Sequence, residues 1–307
     1  MTNSKTLHIV TGASGFIGTR LVHRLLNETD VIVLGVVSNF EAAAKSNTIE
    51  LPGGRKYIPA FCDLSVSAAK WQIQNYLKQI GQYVPGSIFH LAGPTNQADL
   101  HNERKMYDYY TKSSLTISQL ANDEYFSLVF ASSGKAYGNE GAHPTTILGK
   151  AKFIAETIFS TICKYDVKIA RIFNVFGFGQ KRGYLIPTIL DRIISGNTDI
   201  ILDDPEVLRD FVHVEDVAKD LINFDFSNNG GKSIFCNIAS GFVRTPKSIV
   251  DDISNITGIP LTITLSGKGR RENESDIENP VPFKPHDDWY DRLEATVHEE
   301  LKKAGLR

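Results

Sequence analysis

Residues 7–18 read LHIVTGASGFIG. Leu7–Thr11 is a short apolar run that ends on glycine. From Phe16 the pattern changes period, with Ile17, Leu21, Val22, Leu25 and Leu26 at helical spacing. A strand that passes through a glycine-rich turn straight into a helix gives Gly12-x-x-Gly15-x-x-Gly18 a physical meaning. Gly12 permits the tight turn, Gly15 lets the backbone approach a pyrophosphate, and Gly18 lets the helix pack against the strand. Unsatisfied N–H groups at the helix start, together with the helix dipole, favour an anion there. Gly12, Ser14, Gly15, Phe16, Ile17 and Gly18 are therefore the predicted phosphate cradle of a dinucleotide.

Outward from that turn the same alternation continues. Val31–Val37, Arg55–Ala60, Ser87–Ala92, Leu128–Ser132 and Val167–Phe173 are nearly continuous apolar runs, as strands buried on both faces should be. Lys70–Ile80, Met106–Asn122 and Lys150–Tyr165 between them read as helices. Strand–helix alternation predicts a parallel sheet with helices on both faces. After Gly177 the rhythm weakens into polar and glycine-containing loops with short elements. This divides the chain into residues 1–176, completed by segments returning from the C-terminal half, and a smaller α/β lobe over 177–307. Residues 267–288, rich in charge and proline, read as an irregular loop.

The 307 residues carry 33 Lys+Arg against 35 Asp+Glu, a net charge of −2, which excludes the basic excess of a nucleic-acid binder. The longest apolar run, Val31 to Val37, falls far short of the ~20 residues that cross a membrane. Cys62, Cys163 and Cys236 are scattered, with no CxxC pair, so neither a metal site nor a disulfide framework is expected. No secretory signal pattern opens the sequence. The chain reads as a bacterial-type cytoplasmic enzyme or binding protein.

An acidic residue normally ends the second strand of such a unit and takes the ribose hydroxyls of NAD. Here the stretch is Gly35-Val36-Val37-Ser38-Asn39, and the first carboxylate is Glu41. Without that acid nothing repels a 2′-phosphate, and Ser38 and Asn39 can donate to one. Lys45 and Arg55 are the nearest cations. The reading favours NADP over NAD. Asp63, after the third strand, can accept from an adenine amine or cap a helix.

The order of TGxxGxxG, Cys62-Asp63-Leu64, His90-Leu91-Ala92-Gly93, and Ser132-Ser133 with Tyr137-Gly138 resembles the extended short-chain dehydrogenase/reductases. The closest subgroup is the NAD(P)-dependent nucleotide-sugar epimerases and dehydratases. Residues 171–177 (RIFNVFG), 209–217 (RDFVHVEDV) and 236–241 (CNIASG) resemble that family's RxFNVYG, RDFVHVDDV and YNIGSG. The resemblance spans residues 5–275. It implies a Rossmann-type doubly wound sheet with a smaller α/β substrate lobe, and a sugar nucleotide held in the cleft between them. It adds Leu64, Leu91, Ala92, Gly93 and Lys152 to the cofactor residues Ser38 and Asp63. It also gives Asn174 the nucleotide-sugar phosphate and Arg209 the diphosphate, and it implies a homodimer through the helices 106–122 and 150–165. An arginine fork suits phosphate oxygens. His90, His213 and Asp216 read as structural.

One family residue is missing. The family's acid/base set is Ser/Thr plus Tyr and Lys in YxxxK, because proton transfer must accompany hydride transfer. Ser133 matches the Ser/Thr and Lys152 the Lys, but four residues before Lys152 stands Leu148. Leucine shuttles no proton. Tyr137, Lys135 and His143 are the substitutes in view: a tyrosine in the following turn, a lysine whose pKa burial would lower, and a histidine that titrates near neutrality. Gly134-Lys135 stands where 4,6-dehydratases carry Asp-Glu, which argues against that reaction. The leading expectation is a C4 epimerase or 4-keto reductase of deoxysugar biosynthesis with a non-standard proton donor. A non-redox isomerase using Lys135 or His143, and a catalytically silent NAD(P)-binding regulator, stay open.

Overall fold

The computed structural model describes residues 4–38, 49–50, 55–94, 101–137, 143–226, 233–267 and 281–306. It falls into two units, residues 1–172 with 218–236 and residues 173–217 with 237–307. The division comes earlier than the 176/177 boundary read from the sequence. The reason is pairing: residues 174–176 form a strand that joins the second unit's sheet.

In the first unit, strands β1 (Thr6–Thr11), β2 (Val31–Val37), β3 (Ile49–Glu50), β4 (Lys56–Phe61), β5 (Val84–His90), β6 (Ser127–Ser133) and β7 (Val167–Ile172) are joined by a late strand, β11 (Ser233–Ile238). The order across the sheet is β11-β7-β6-β5-β1-β2-β4-β3. β1 pairs in parallel with β2 and β5, β2 with β4, β5 with β6, and β6 with β7. β3 runs antiparallel to β4 and was not foreseen from the sequence. Helices α1 (Phe16–Glu28), α2 (Ala69–Ile80), α3 (Glu103–Glu124) and α4 (Ile147–Ile162) connect the strands. Their apolar faces close a core that includes Leu7, Ile9, Ile73, Ile117, Phe130 and Phe159.

Two boundaries differ from the sequence reading in ways that matter. β5 ends at His90, so Leu91, Ala92 and Gly93 form a loop rather than the end of a strand. α4 begins at Ile147 rather than Lys150, because the Thr146 side chain accepts the Gly149 N–H at 3.0 Å and caps it there. It ends at Ile162, short of the predicted Tyr165.

The second unit contains β8 (Asn174–Phe176), α5 (Leu185–Ile194), β9 (Asp199–Leu202), β10 (Arg209–His213), β12 (Val243–Arg244), α7 (Pro246–Thr257), β13 (Thr262–Leu265) and α8 (Trp289–Lys303). Helix α6 (Val214–Phe226) starts in this unit and ends in the first. A three-stranded sheet in the order β12-β10-β8 and a parallel pair β13-β9 enclose a core built around Phe176, Leu190, Ile249, Ile253, Trp289 and Leu293. No helix among the described residues is long and apolar enough to cross a membrane.

Candidate active site

The phosphate cradle is built from backbone. Gly12 has φ +70°, a conformation that L side chains rarely adopt, and its N–H donates to the Val36 carbonyl at 2.9 Å. A Cβ on Gly12 would stand 3.0 Å from the Ala92 nitrogen, which places the Leu91–Gly93 loop against the turn. A Cβ on Gly18 would stand 2.1 Å from the Gly12 carbonyl oxygen. α1 therefore packs on the turn only with glycine there. Gly15 is the N-cap of α1 and offers no side chain to its first turn, which also lacks an acidic residue. The first N–H groups of a helix have no partner within the helix. Here they face an end without a carboxylate, the arrangement that accepts a phosphate.

Around the cradle, Thr11 Oγ1 lies 2.8 Å from His90 Nδ1 and accepts the Ala92 N–H at 3.2 Å, fixing the loop after β5. His90 is fully buried, its ring stacked on Phe130. Burial first, and the Lys152 charge second, push its pKa down to about 3. It is a neutral packing residue. Asp63 Oδ1 accepts both the Ser65 N–H at 2.9 Å and the Ser65 hydroxyl at 2.7 Å, closing a local turn. Ser38 is exposed at the end of β2, while Asn39, Glu41 and Lys45 lie outside the described residues. Arg55 donates to the Leu26 carbonyl near the end of α1 at 2.6 Å.

A buried polar network runs from β6 to β7. Lys152, on α4 and 8% exposed, donates to the Ala131 carbonyl, and its ammonium lies 4.8 Å from the centres of both the Tyr110 and the Phe130 rings. Burial pulls its pKa down to about 7, opposed by Glu156 one turn along the helix. Glu156 in turn accepts from the Ser132 hydroxyl at 2.5 Å and from Arg171 Nε and Nη2 at 3.0 and 2.7 Å. The Arg171 guanidinium lies 4.0 Å from the centre of the Tyr137 ring. Tyr110, on α3, was not foreseen as a site residue: its ring holds Lys152, and its hydroxyl packs so closely on Gly93 that a Cβ there would meet it at 2.2 Å. Burial raises the Tyr110 pKa far above the ordinary phenol value, so it is no proton shuttle. In sequence it shows only as one apolar position of an amphipathic helix.

The residues offered in place of the missing tyrosine differ in setting. The Tyr137 ring is held against Arg171. His143 is exposed, its ring edge-on to Phe153. Lys135 is half-buried in the short turn Gly134–Ala136, and its N–H donates to Ser133 Oγ at 3.2 Å. Leu148 packs against the first unit's core.

In the second unit Asn174 Nδ2 donates to the Asp210 carbonyl at 2.9 Å, and Arg209 opens β10 half-buried. Asp210 accepts from the N–H groups of Ser240 and Gly241, both at 2.7 Å, and from the Ser240 hydroxyl. Burial raises its pKa against these bonds. The His213 ring packs edge-on to Phe176. Asp216, His286 and Asp288 could each offer one atom to a cation. Arg292 already donates to Asp216 at 2.7 Å and to Asp288 at 2.8 Å, so the positive charge among them is a guanidinium. Cys62 and Cys163 are buried thiols and Cys236 a half-buried one.

The parallel sheet, the glycine turn and the lysine on α4 define a dinucleotide-binding member of the α/β class. The chain belongs to the NAD dependent epimerase/dehydratase family, whose sequence model matches residues 8–224. It is 24% identical over 294 residues to the ADP-L-glycero-D-manno-heptose-6-epimerase of Brachyspira hyodysenteriae, covering 88% of this chain and 89% of that one. The structure of MoeE5 in complex with UDP-glucose and NAD shares its fold with a TM-score of 0.77 at 21% identity, covering 97% of this chain and 99% of that one. The UDP-N-acetylglucosamine 4-epimerase from Methanobrevibacter ruminantium, in complex with UDP-N-acetylmuramic acid, superposes with a TM-score of 0.76 at 22% identity over 98% and 99% of the two chains.

Proposed function

We propose that this protein is an NAD-dependent C4 epimerase or 4-keto reductase of nucleotide-diphosphate sugars. The observation that carries the reading is the glycine turn backed by a side-chain-free helix start, where a Cβ at Gly18 would stand 2.1 Å from the Gly12 carbonyl oxygen. That backbone fits a pyrophosphate. The relatives supply the substrate class, since each named above acts on or holds a sugar nucleotide. The sequence favoured NADP. With Arg55 engaged by α1, that case loses one of its two cations, and NAD, present in the MoeE5 structure, is the cofactor proposed.

When bound, the nicotinamide supplies hydride exchange at the sugar carbon. Phe16, Ile17 and the three glycines hold the pyrophosphate, with Ser14 beside them. Leu91, Ala92 and Gly93 line the turn, and Ser38, Asp63 and Leu64 serve the adenosine end. Asn174 and Arg209 take the substrate phosphates. Ser133 orients the reacting oxygen. Its Oγ accepts from Lys135, which leaves the hydroxyl hydrogen available to the sugar. Lys152 holds the proton that tyrosine would hold: with its pKa near 7 it is an ammonium at lower pH and a free amine above.

A second reading, a non-redox enzyme or a silent binding protein, is favoured by the Leu148 side chain itself, which packs half-buried against the first unit's core and carries no proton. Incubation with UDP-glucose, UDP-N-acetylglucosamine and a 4-keto sugar nucleotide, followed by NMR of the sugar and absorbance of the nicotinamide, separates the readings. C4 inversion or cofactor oxidation supports the proposal. Unchanged sugars with tightly retained cofactor support the silent binder. Lys135→Ala with turnover intact leaves the proton with Lys152; lost turnover moves it to Lys135.

A further inference from the structure

β6 ends on Ser133, and the chain turns at once through Gly134, Lys135 and Ala136. The turn stands at the carboxyl end of a strand in a parallel sheet, the edge along which such sheets hold their ligands. Its backbone is fixed from both sides. Ser133 Oγ accepts the Lys135 N–H at 3.2 Å, and the Tyr137 N–H donates to the Gly134 carbonyl at 3.1 Å. The first turn of α4 closes on it so tightly that a Cβ on Gly149 would stand 2.1 Å from the Lys135 carbonyl oxygen.

The Lys135 side chain is not held in the same way. It is half-buried, and among the described residues its ammonium has neither a hydrogen-bond partner nor an ion pair. The other two basic groups at this end of the sheet are accounted for. Lys152 is held by the Ala131 carbonyl and two aromatic rings. Arg171, opposite Ser132 on β7, is paired with Glu156, which accepts from Ser132 as well. The carboxylate of this network is therefore spent on Arg171, and the charge left without a counter-ion is that of Lys135. A half-buried charge calls for a partner, and here the partner has to come with the ligand.

The chemistry of the sugar says which anion that is. In the reaction proposed above Ser133 holds the oxygen on C4 of the hexose. The diphosphate sits on C1, across the ring from C4, so it is not what a residue two places after Ser133 meets. The neighbours of C4 are C3 and C5, and C5 carries C6, which oxidation turns into a carboxylate. A lysine offers that carboxylate a compact charge with three donors on a flexible four-carbon stem. We infer that Lys135 is a specificity-determining residue that binds a carboxylate on the sugar, so that the substrate is the nucleotide diphosphate of a hexuronic acid rather than of a neutral hexose. This deepens the nucleotide-sugar reading and rests on it. A lysine that serves as counter-ion keeps its proton, which leaves proton transfer to Lys152.

Titration calorimetry of the full chain, saturated with NAD, tests the inference with UDP-glucose and UDP-glucuronic acid, which differ at C6 alone. Glucose 1-phosphate and glucuronic acid 1-phosphate run beside them, so that the comparison does not depend on the base. Wild type is expected to bind the acid of each pair the more tightly. Lys135→Ala should weaken the acids roughly ten- to a hundredfold, as loss of a charge-assisted hydrogen bond does, and change the neutral sugars less than about threefold. Lys135→Arg, which keeps the charge and gives up no proton, should retain the preference for the acids. Wild type that binds the neutral sugar as tightly as the acid overturns the inference and leaves the sugar-nucleotide reading standing. So does a preference that survives in Lys135→Ala, or an equal loss for both members of a pair. Wild type that binds neither pair overturns both. If Lys135→Ala does not fold, Lys135→Gln keeps the length of the side chain and is read by the same outcomes.

Discussion

Replacing Lys152 by methionine keeps the length of the buried stem and removes the amine. Lys152 has its pKa lowered from the ordinary 10.5 to about 7, mainly by burial. The unfolded chain therefore binds more protons than the folded one between those values, and wild-type stability rises with pH across that window. Near pH 7 the lysine gives up much of its proton to fold, at a cost of about 4 kcal/mol, from roughly 1.4 kcal/mol per pKa unit. The methionine variant avoids that cost and loses the bond to the Ala131 carbonyl, about 1 kcal/mol. It should be more stable than wild type by about 3 kcal/mol at pH 7, with the gap closing to almost nothing by about pH 10, where the remaining cost of deprotonation, about 1 kcal/mol, is matched by the lost bond. Urea unfolding at a series of pH values measures this directly. Parallel curves, or a variant less stable at pH 7, would refute the claim that Lys152 is a desolvated amine. Loss of turnover in the stabilised variant would in turn place the amine in the chemistry.

Three further outcomes follow from the geometry. Gly18→Ala drives a methyl into the Gly12 carbonyl, so it should cost about 1–3 kcal/mol of stability and abolish cofactor retention, measured by thermal unfolding with and without NAD. Glu156→Gln leaves Arg171, 12% exposed, without its buried counter-charge and should destabilise by roughly 3–5 kcal/mol in urea; a change under about 1 kcal/mol contradicts the network. A homodimer through α3 and α4 is proposed. Leu115 and Phe153, 37% and 38% exposed on those helices, are the apolar positions it would cover, so Leu115→Glu should halve the mass seen by light scattering.

The stretch from Leu7 to Gly18 carries its reading in local chemistry: a change of apolar period and three glycines at places where only glycine fits. The buried strands were legible for the same reason, since a strand covered on both faces is apolar throughout. What escaped depends on contacts between distant residues. The start of α4 was misplaced because the Thr146 cap speaks through a hydrogen bond rather than through apolar spacing. Lys152 was legible as a family lysine, but not as an amine between two rings from α3 and β6. Asp63 shows another limit: its two readings were adenine acceptor and helix cap, but Ala68 caps α2 and Asp63 Oδ1 closes a local turn through Ser65 instead.

The first unit is not contiguous: its sheet ends on β11, which arrives only after residues 173–217 have crossed into the other unit. During synthesis a nascent chain that has reached residue 217 carries the glycine turn and strands β1 to β7, but leaves β7 as an uncovered edge. That edge is VKIARI, five of its six residues buried in the finished sheet. An apolar, unpaired edge of this kind recruits strands from other chains. Most of the polypeptide must therefore emerge from the ribosome before the sheet can be closed. Truncations that stop before residue 233 should aggregate rather than yield a smaller soluble cofactor-binding domain.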